Sequence, residues 1–162
     1  MSDQQKKPEK IIATNSSARS DYFLSDFLEA GIELKGTEVK SLRESSPNLK
    51  DSFVSVSHNR GGMLEAWLFN TNIAHYKHGN IWNHEPARKR KLLLHRYQID
   101  RLFSAQTKEG YTIIPTKFYF KAGVVKVEIA LAKGKKKHDK REDMKKKSSN
   151  KEIQSALKRR QK

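Results

Sequence analysis

Tyr111-Thr-Ile-Ile-Pro115-Thr-Lys-Phe-Tyr-Phe120, then Lys121-Ala-Gly123, then Val124-Val-Lys-Val-Glu-Ile-Ala-Leu131 is the stretch on which the fold turns. β-branched and aromatic side chains dominate both halves and the middle residues supply a turn, so the stretch predicts two antiparallel strands. In the second half Val125, Val127, Ile129 and Leu131 alternate with Lys126, Glu128 and Ala130, the period of a strand with one face inward. Pro115 has no amide hydrogen, so the first half must bulge there or lie at an edge. The same alternation makes Tyr119 the outward candidate of its strand.

Upstream, Phe53-Val-Ser-Val-Ser and Met63-Leu-Glu-Ala-Trp-Leu-Phe read as a second strand pair, with His58-Asn-Arg-Gly-Gly62 as its turn. Residues 22–29 stay open between two readings. Phe23 with Phe27 and Leu24 with Leu28 fit helical spacing, whereas the aromatic richness and the following Ala30-Gly31 fit a strand entering a bend. Ile32-Glu-Leu-Lys reads as a short strand closed by Gly36. Thr37 then caps a short helix over 38–43, which Pro47-Asn48 breaks. A polar loop with His75, His78 and His84 spans about 73–86, and residues 88–103 predict a helix with Leu92, Ile99, Leu102 and Phe103 on one face. Five or six strands, two interposed helices and no βαβ alternation point to a mainly β protein: a small, OB-like antiparallel barrel.

Charge divides the chain differently. It carries 34 Lys and Arg against 18 Asp and Glu, a formal net charge of +16 over 162 residues, and residues 133–162 hold 14 of those bases and only 4 of the acids. That tail offers almost nothing to bury, so it cannot offset its own ordering entropy and is expected to be disordered when free. Residues 1–14 are polar and expected to be flexible, leaving 15–132 as the barrel. A polycationic tail favours a polyanion, with counterion release as the main gain, so nucleic acid is the expected partner.

Several classes are set aside by composition. No cysteine occurs, which removes disulfides and thiolate metal sites. A mean hydropathy of −0.86, no long apolar run and an N-terminus without a signal-like core suit a cytoplasmic protein with no membrane partner. His75-x-x-His78 has no matching acid, so no metal is expected. The acids Asp21, Asp26, Glu29, Glu33 and Glu38 read as a solvated edge that limits self-repulsion, and no nucleotide-binding or nucleophile motif accompanies them, so neither catalysis nor a cofactor is expected. The run Arg88-Lys-Arg-Lys91 opposes the dipole of the helix it would begin, which an anionic ligand would turn into binding. Lys126 stands on the polar face of its strand.

Glu29-Ala-Gly31, Gly36-Thr-Glu-Val-Lys-Ser-Leu-Arg43, Arg90-Lys-Leu-Leu-Leu-His95 and Gly134-Lys-Lys-Lys-His-Asp-Lys-Arg-Glu142 follow one another in that order. Together they resemble the signature blocks of the bacterial SmpB (SsrA-binding protein) family. The resemblance implies an OB-like barrel with about three helices, residues 22–29 being strand. It also implies a non-enzymatic adaptor of trans-translation. Such an adaptor binds the tRNA-like domain of tmRNA, travels with elongation factor Tu and GTP held through that RNA, and works as a monomer on stalled ribosomes. By position, the RNA-binding residues it implies are Asn15, Glu29, Leu93 and Lys126, supported by Arg19, Lys40, Arg43 and Lys91. The implied tail contacts with the small ribosomal subunit and its rRNA are Lys135, Lys136, Lys137, His138, Asp139, Lys140 and Arg141, with the tail becoming helical in the empty messenger channel. Three departures are visible: a longer turn at 59–63, His75 where the family often has proline, and Ser148-Ser-Asn150 within the tail. From the residues alone, a ribosomal-protein-like structural component is the competing expectation.

Overall fold

The computed structural model describes residues 9–160. Among the described residues there are seven strands: β1 Glu9–Thr14, β2 Tyr22–Ile32, β3 Phe53–His58, β4 Leu64–Phe69, β5 Arg90–Leu93, β6 Thr112–Lys121 and β7 Val124–Gly134. The same residues hold four α-helices, α1 Ser16–Asp21, α2 Gly36–Glu44 and α3 Arg96–Lys108 between strands and α4 Lys137–Arg160 after the last, with a 3-10 turn at Asn80–Trp82. All strand pairs are antiparallel, in the order β1-β6-β3-β4-β5-β2-β7, and β6 also pairs with β7. The six strands from β6 round to β7 therefore close on themselves, which removes the exposed edges an open sheet would leave.

The closing strand is β6, and Pro115 decides how. One edge of β6 follows β7; the other meets β3 at Ile113 and β1 from Lys117 to Lys121. The register shift expected at Pro115 falls between Pro115 and Lys117, where the edge changes partner. Asn15 stitches this junction, its backbone N–H donating to Thr116 O at 2.8 Å and its Nδ2 to Pro115 O at 3.0 Å. Inside the ring, Leu68, Leu92, Ile113, Phe118, Val127 and Ile129 are at most 1% exposed. Helix α3 covers one opening with buried Leu102 and Ala105, and its Gln106 amide pairs with Val56 N and O, satisfying β3 where β6 has left it.

Three expectations need correction, and residues 22–29, left open by their spacing, take the strand that the family resemblance implies. Of the N-terminal segment expected to be flexible, residues 1–8 lie outside the described residues, but Glu9–Thr14 is a strand, because β6 beyond Pro115 has a free edge to fill. Residues 22–29 are strand: β2 bulges between Ser25 and Leu28, with Asp26 at φ 48°, so Leu24 and Leu28 stay partly buried while Phe23 and Phe27 face out. That bulge produced the helical spacing. The helix expected over 88–103 is instead strand β5 followed by α3; Arg90 and Leu92 point inward, and α3 begins only after His95, whose N–H bonds Gln98 Oε1 at 2.9 Å. Helix α2 starts after Lys35, whose N–H donates to Glu38 Oε2 at 2.7 Å, while the Thr37 hydroxyl bonds His84 Nδ1 at 3.0 Å instead of capping.

The tail, expected to be disordered when free and helical when bound, is helical from Lys137 onward. It is a 24-residue helix running unbroken through Ser148-Ser-Asn150. Its residues are mostly strong helix formers, Asp139 occupies the first turn and accepts from Lys136 N at 3.2 Å, and His138 faces Glu142 one turn on. Among the described residues its hydrogen bonds and ion pairs to the body lie at its root: Lys135 N donates to Asp21 O at 2.8 Å, Lys135 Nζ to Arg19 O at 2.9 Å, and Lys140 meets Asp21 at 2.9 Å. Beyond that root Met144, Ile153 and Leu157 are more than half exposed.

Candidate RNA interface

Strands β2, β5 and β7 meet at Gly31, which pairs with Leu93 on one side and Lys126 on the other. A Cβ on Gly31 would sit 3.1 Å from Leu93 Cβ, so the glycine is what lets β5 come this close. Around that junction opens a cleft of about 610 Å³ whose lining includes Glu29, Lys91, Leu93 and Lys126. The β3–β4 turn contributes Asn59 and Met63 to its rim, β4 contributes Glu65, and the start of α3 contributes His95 and Gln98. Four residues expected to bind RNA, from three strands, are thus brought together in one recess.

Its chemistry is mixed. Glu29 Oε2 accepts from the Tyr119 hydroxyl and from Lys121 Nζ at 2.9 Å. Those two bonds, Tyr119 first, hold the Glu29 carboxyl below the usual carboxylate range, so it is ionised at neutral pH. Glu29 Oε1 accepts no hydrogen bond among the described residues, which leaves it for a donor such as a base amino group. Burial, and then the neighbouring Glu29 carboxylate, push the Tyr119 hydroxyl far up, so it stays a donor. On the opposite rim Lys91 Nζ bonds Glu65 Oε1 at 2.8 Å, and Glu65 also accepts from Asn59 Nδ2 and Trp67 Nε1. The Lys91 bond is the chief reason the Glu65 carboxyl lies below its ordinary value. Leu93 is 54% exposed and supplies apolar surface between these charges.

The remaining expected residues lie outside that lining. Asn15 is buried as the N-cap of α1: its Oδ1 accepts from Ala18 N at 3.2 Å and Ser17 Oγ at 2.9 Å, while Nδ2 reaches Pro115 O. It sits beside Arg19 and Phe27 in a smaller recess of about 300 Å³. Lys40 and Arg43 are exposed on α2, with Lys40 Nζ 5.5 Å from the Tyr76 ring centroid. In the tail Lys136, Lys137, His138 and Arg141 are exposed, whereas Lys135, Asp139 and Lys140 have the helix-root partners given above.

Other readings change. Arg88-Lys-Arg-Lys91 is not a helix-start anion site, because strand alternation splits it. Arg90 is fully buried against fully buried Glu38 at 2.9 Å, and Arg88 reaches the same carboxylate at 2.6 Å. Glu38 is therefore no solvated edge. Burial pushes its carboxyl up, but Arg88, the Lys35 N–H and Arg90 outweigh that and leave it below the ordinary value. Arg90 also donates to Thr71 O, Arg88 O and Pro86 O, which ties the 73–86 loop to the sheet. His84 is no loop contact either: it is 1% exposed, between Thr37 Oγ1 and Ile73 O. Tyr119 is 3% exposed, with β1 paired on one side of its strand at Ile11 and β7 on the other at Lys126. The expectation that it faces outward is therefore corrected: its hydroxyl turns to Glu29, 90 positions away, and no local signal foretold that bond. Among the described residues no group of three or more His, Asp or Glu is gathered as a metal site, and no helix is long and apolar enough to cross a membrane.

Residues 12–159 match the family described as "SmpB protein". The chain is 56% identical over 150 residues to the SsrA-binding protein of Fervidobacterium nodosum, covering 92% of this chain and 97% of that one. It is 50% identical over 153 residues to the SsrA-binding protein of Geobacillus thermodenitrificans, covering 94% and 96%. A solved structure described as "tmRNA-SmpB: a journey to the center of the bacterial ribosome" aligns with a TM-score of 0.61 at 44% identity, covering 77% of this chain and 85% of that one.

Proposed function

From the premise that this chain belongs to the SmpB family, we propose that it is a non-enzymatic RNA-binding adaptor of trans-translation, acting in the cytoplasm as a monomer. It binds the tRNA-like domain of tmRNA and accompanies that RNA to stalled ribosomes, with elongation factor Tu and GTP held through the RNA. The closed strand ring reads as the OB-like barrel whose face and loops grip a folded RNA. The observation that carries this reading is the convergence of Glu29, Lys91, Leu93 and Lys126 on one cleft.

Roles divide by chemistry. Lys126, Lys91, Arg19, Lys40 and Arg43 neutralise phosphates; Glu29, held by Tyr119 and Lys121, accepts from a base edge; Leu93 supplies apolar contact to a base face or ribose. Asn15 acts by fixing α1 and so Arg19. The tail enters the empty messenger channel of the small subunit, where Lys136, Lys137, Lys140 and Arg141 meet rRNA phosphates and His138 stacks on a base. Its helix is available for that use because only its root is tied down.

Gel shift with a tRNA-like-domain fragment against a tRNA competitor at fixed salt tests the binding half. Preference for the tRNA-like domain is expected, and equal affinity for both RNAs would count against the proposal.

A further inference from the structure

The loop between β4 and β5 displays two large apolar side chains that the fold does not use. Ile81 is 86% exposed and Trp82 is 81% exposed. Neither is on a mobile-looking tip, for the segment is braced from within. Asn83 clamps the Tyr76 backbone, its Oδ1 accepting from Tyr76 N at 3.0 Å and its Nδ2 donating to Tyr76 O at 2.8 Å. Gly79 N bonds Tyr76 O and Trp82 N bonds Gly79 O, each at 3.0 Å. A Cβ on Gly79 would meet Asn83 Nδ2 at 2.5 Å, and the next residue, Asn80, is held at φ 45°. Left-handed backbone at a non-glycine residue, kept by a tight hydrogen-bond net, fixes the turn that thrusts Ile81 and Trp82 into solvent.

The surroundings say what would cover them. Residues 75–84 contain Lys77, His75, His78 and His84 and no acid. Tyr76 and His78 meet edge-on at 5.4 Å, and Lys40 reaches over the Tyr76 ring from α2. Helix α2 is joined to this loop directly, Ser41 Oγ donating to Ala74 O at 2.7 Å. The loop that bears the apolar tip is therefore joined to α2 at Lys40 and Ser41, and Arg43, proposed with Lys40 to meet RNA phosphates, lies three residues farther along that helix. An aromatic plane beside cations fits an unpaired nucleobase, whose phosphates the cations neutralise while its face stacks on the indole.

We propose that Trp82 is a stacking platform for an unpaired base of the folded RNA that Lys40 and Arg43 contact, with Ile81 flanking it. This rests on the RNA-binding reading and extends the interface to a surface away from the cleft. The test uses the full chain and a tRNA-like-domain fragment at fixed salt. In a Trp67→Phe background Trp82 is the sole indole, and its emission is expected to quench as the fragment binds. Trp82→Ala should weaken binding about tenfold, with Trp82→Phe restoring most of the loss. The melting temperature should not move, since the side chain touches little of the fold.

Unquenched Trp82 emission with a saturating fragment would overturn the proposal. So would unchanged affinity of Trp82→Ala while Lys126→Ala is weakened, a result that leaves the RNA-binding reading intact. Absence of fragment binding by the unaltered chain would instead refute that reading and this inference together.

Discussion

Replacing Glu38 by glutamine tests the physical basis of the fold more sharply than any other single change. Its carboxylate has no exposed surface and receives Arg88 Nε at 2.8 Å, Arg88 Nη2 at 2.6 Å, Arg90 Nε at 2.9 Å and the Lys35 N–H at 2.7 Å. Glu38→Gln keeps the shape and removes the charge, leaving the fully buried Arg90 guanidinium uncompensated. Breaking a buried ion pair from one side costs about 3–5 kcal/mol. For a chain of this length that corresponds to a fall in melting temperature of about 6–20 °C. Urea denaturation at pH 7, followed by circular dichroism, measures it. A loss under about 1 kcal/mol would refute the claim that this carboxylate neutralises Arg90 in the core.

The pH dependence supplies an internal check. Glu38 has a folded-state pKa below its unfolded value of about 4.3, so the unfolded chain takes up the proton first as pH falls. Its contribution is complete above the unfolded value and disappears as pH drops through the folded one. Protonated Glu38 then resembles glutamine, so the stability gap between the unaltered chain and Glu38→Gln should narrow steadily below pH 4. A gap that is constant down to pH 2 would contradict the assignment.

Three further outcomes follow from the geometry. Tyr119→Phe removes the first of the two donors holding Glu29; the Glu29 carboxyl should titrate at higher pH by NMR and tRNA-like-domain affinity should fall about threefold to tenfold, with no change in either refuting the positioning role. Gly31→Ala presses on Leu93 at the cleft junction, so RNA binding should weaken more than thermal stability does, and a variant that binds normally would show the close approach to be unimportant. Native-state hydrogen exchange should find β6 and β7 amides protected close to the global stability and α4 amides beyond Met144 by about 1 kcal/mol or less; equal protection would mean that the tail is docked rather than free.

Much of this was readable from local pattern, and the failures share a cause. The β6–β7 hairpin, the β3–β4 pair and the Pro115 bulge follow from alternation and backbone chemistry, which act over a few residues. Residues 22–29 defeated periodicity because a bulge shifts the phase of a strand and imitates helical spacing. Residues 88–103 defeated it because strand β5 and helix α3 abut with compatible apolar positions. The cluster Arg88–Lys91 looked like a surface patch; that Arg90 turns inward depends on Glu38, 52 positions earlier, and composition cannot convey it. The cleft was legible only as a set of residues supplied by family resemblance. That Glu29, Lys91, Leu93 and Lys126 face one recess follows from ring closure, a long-range event. The tail's charge was plain, but the seating of its helix root depends on anchors at Asp21 and Arg19 more than a hundred positions away.

Truncation after Ala132, followed by tRNA-like-domain binding and by tagging of chains on stalled ribosomes, interrogates the separation between gripping surface and tail most directly. The shortened protein is expected to keep its affinity and its preference over tRNA while tagging is abolished. Loss of RNA binding on truncation, or tagging that survives it, would contradict that separation.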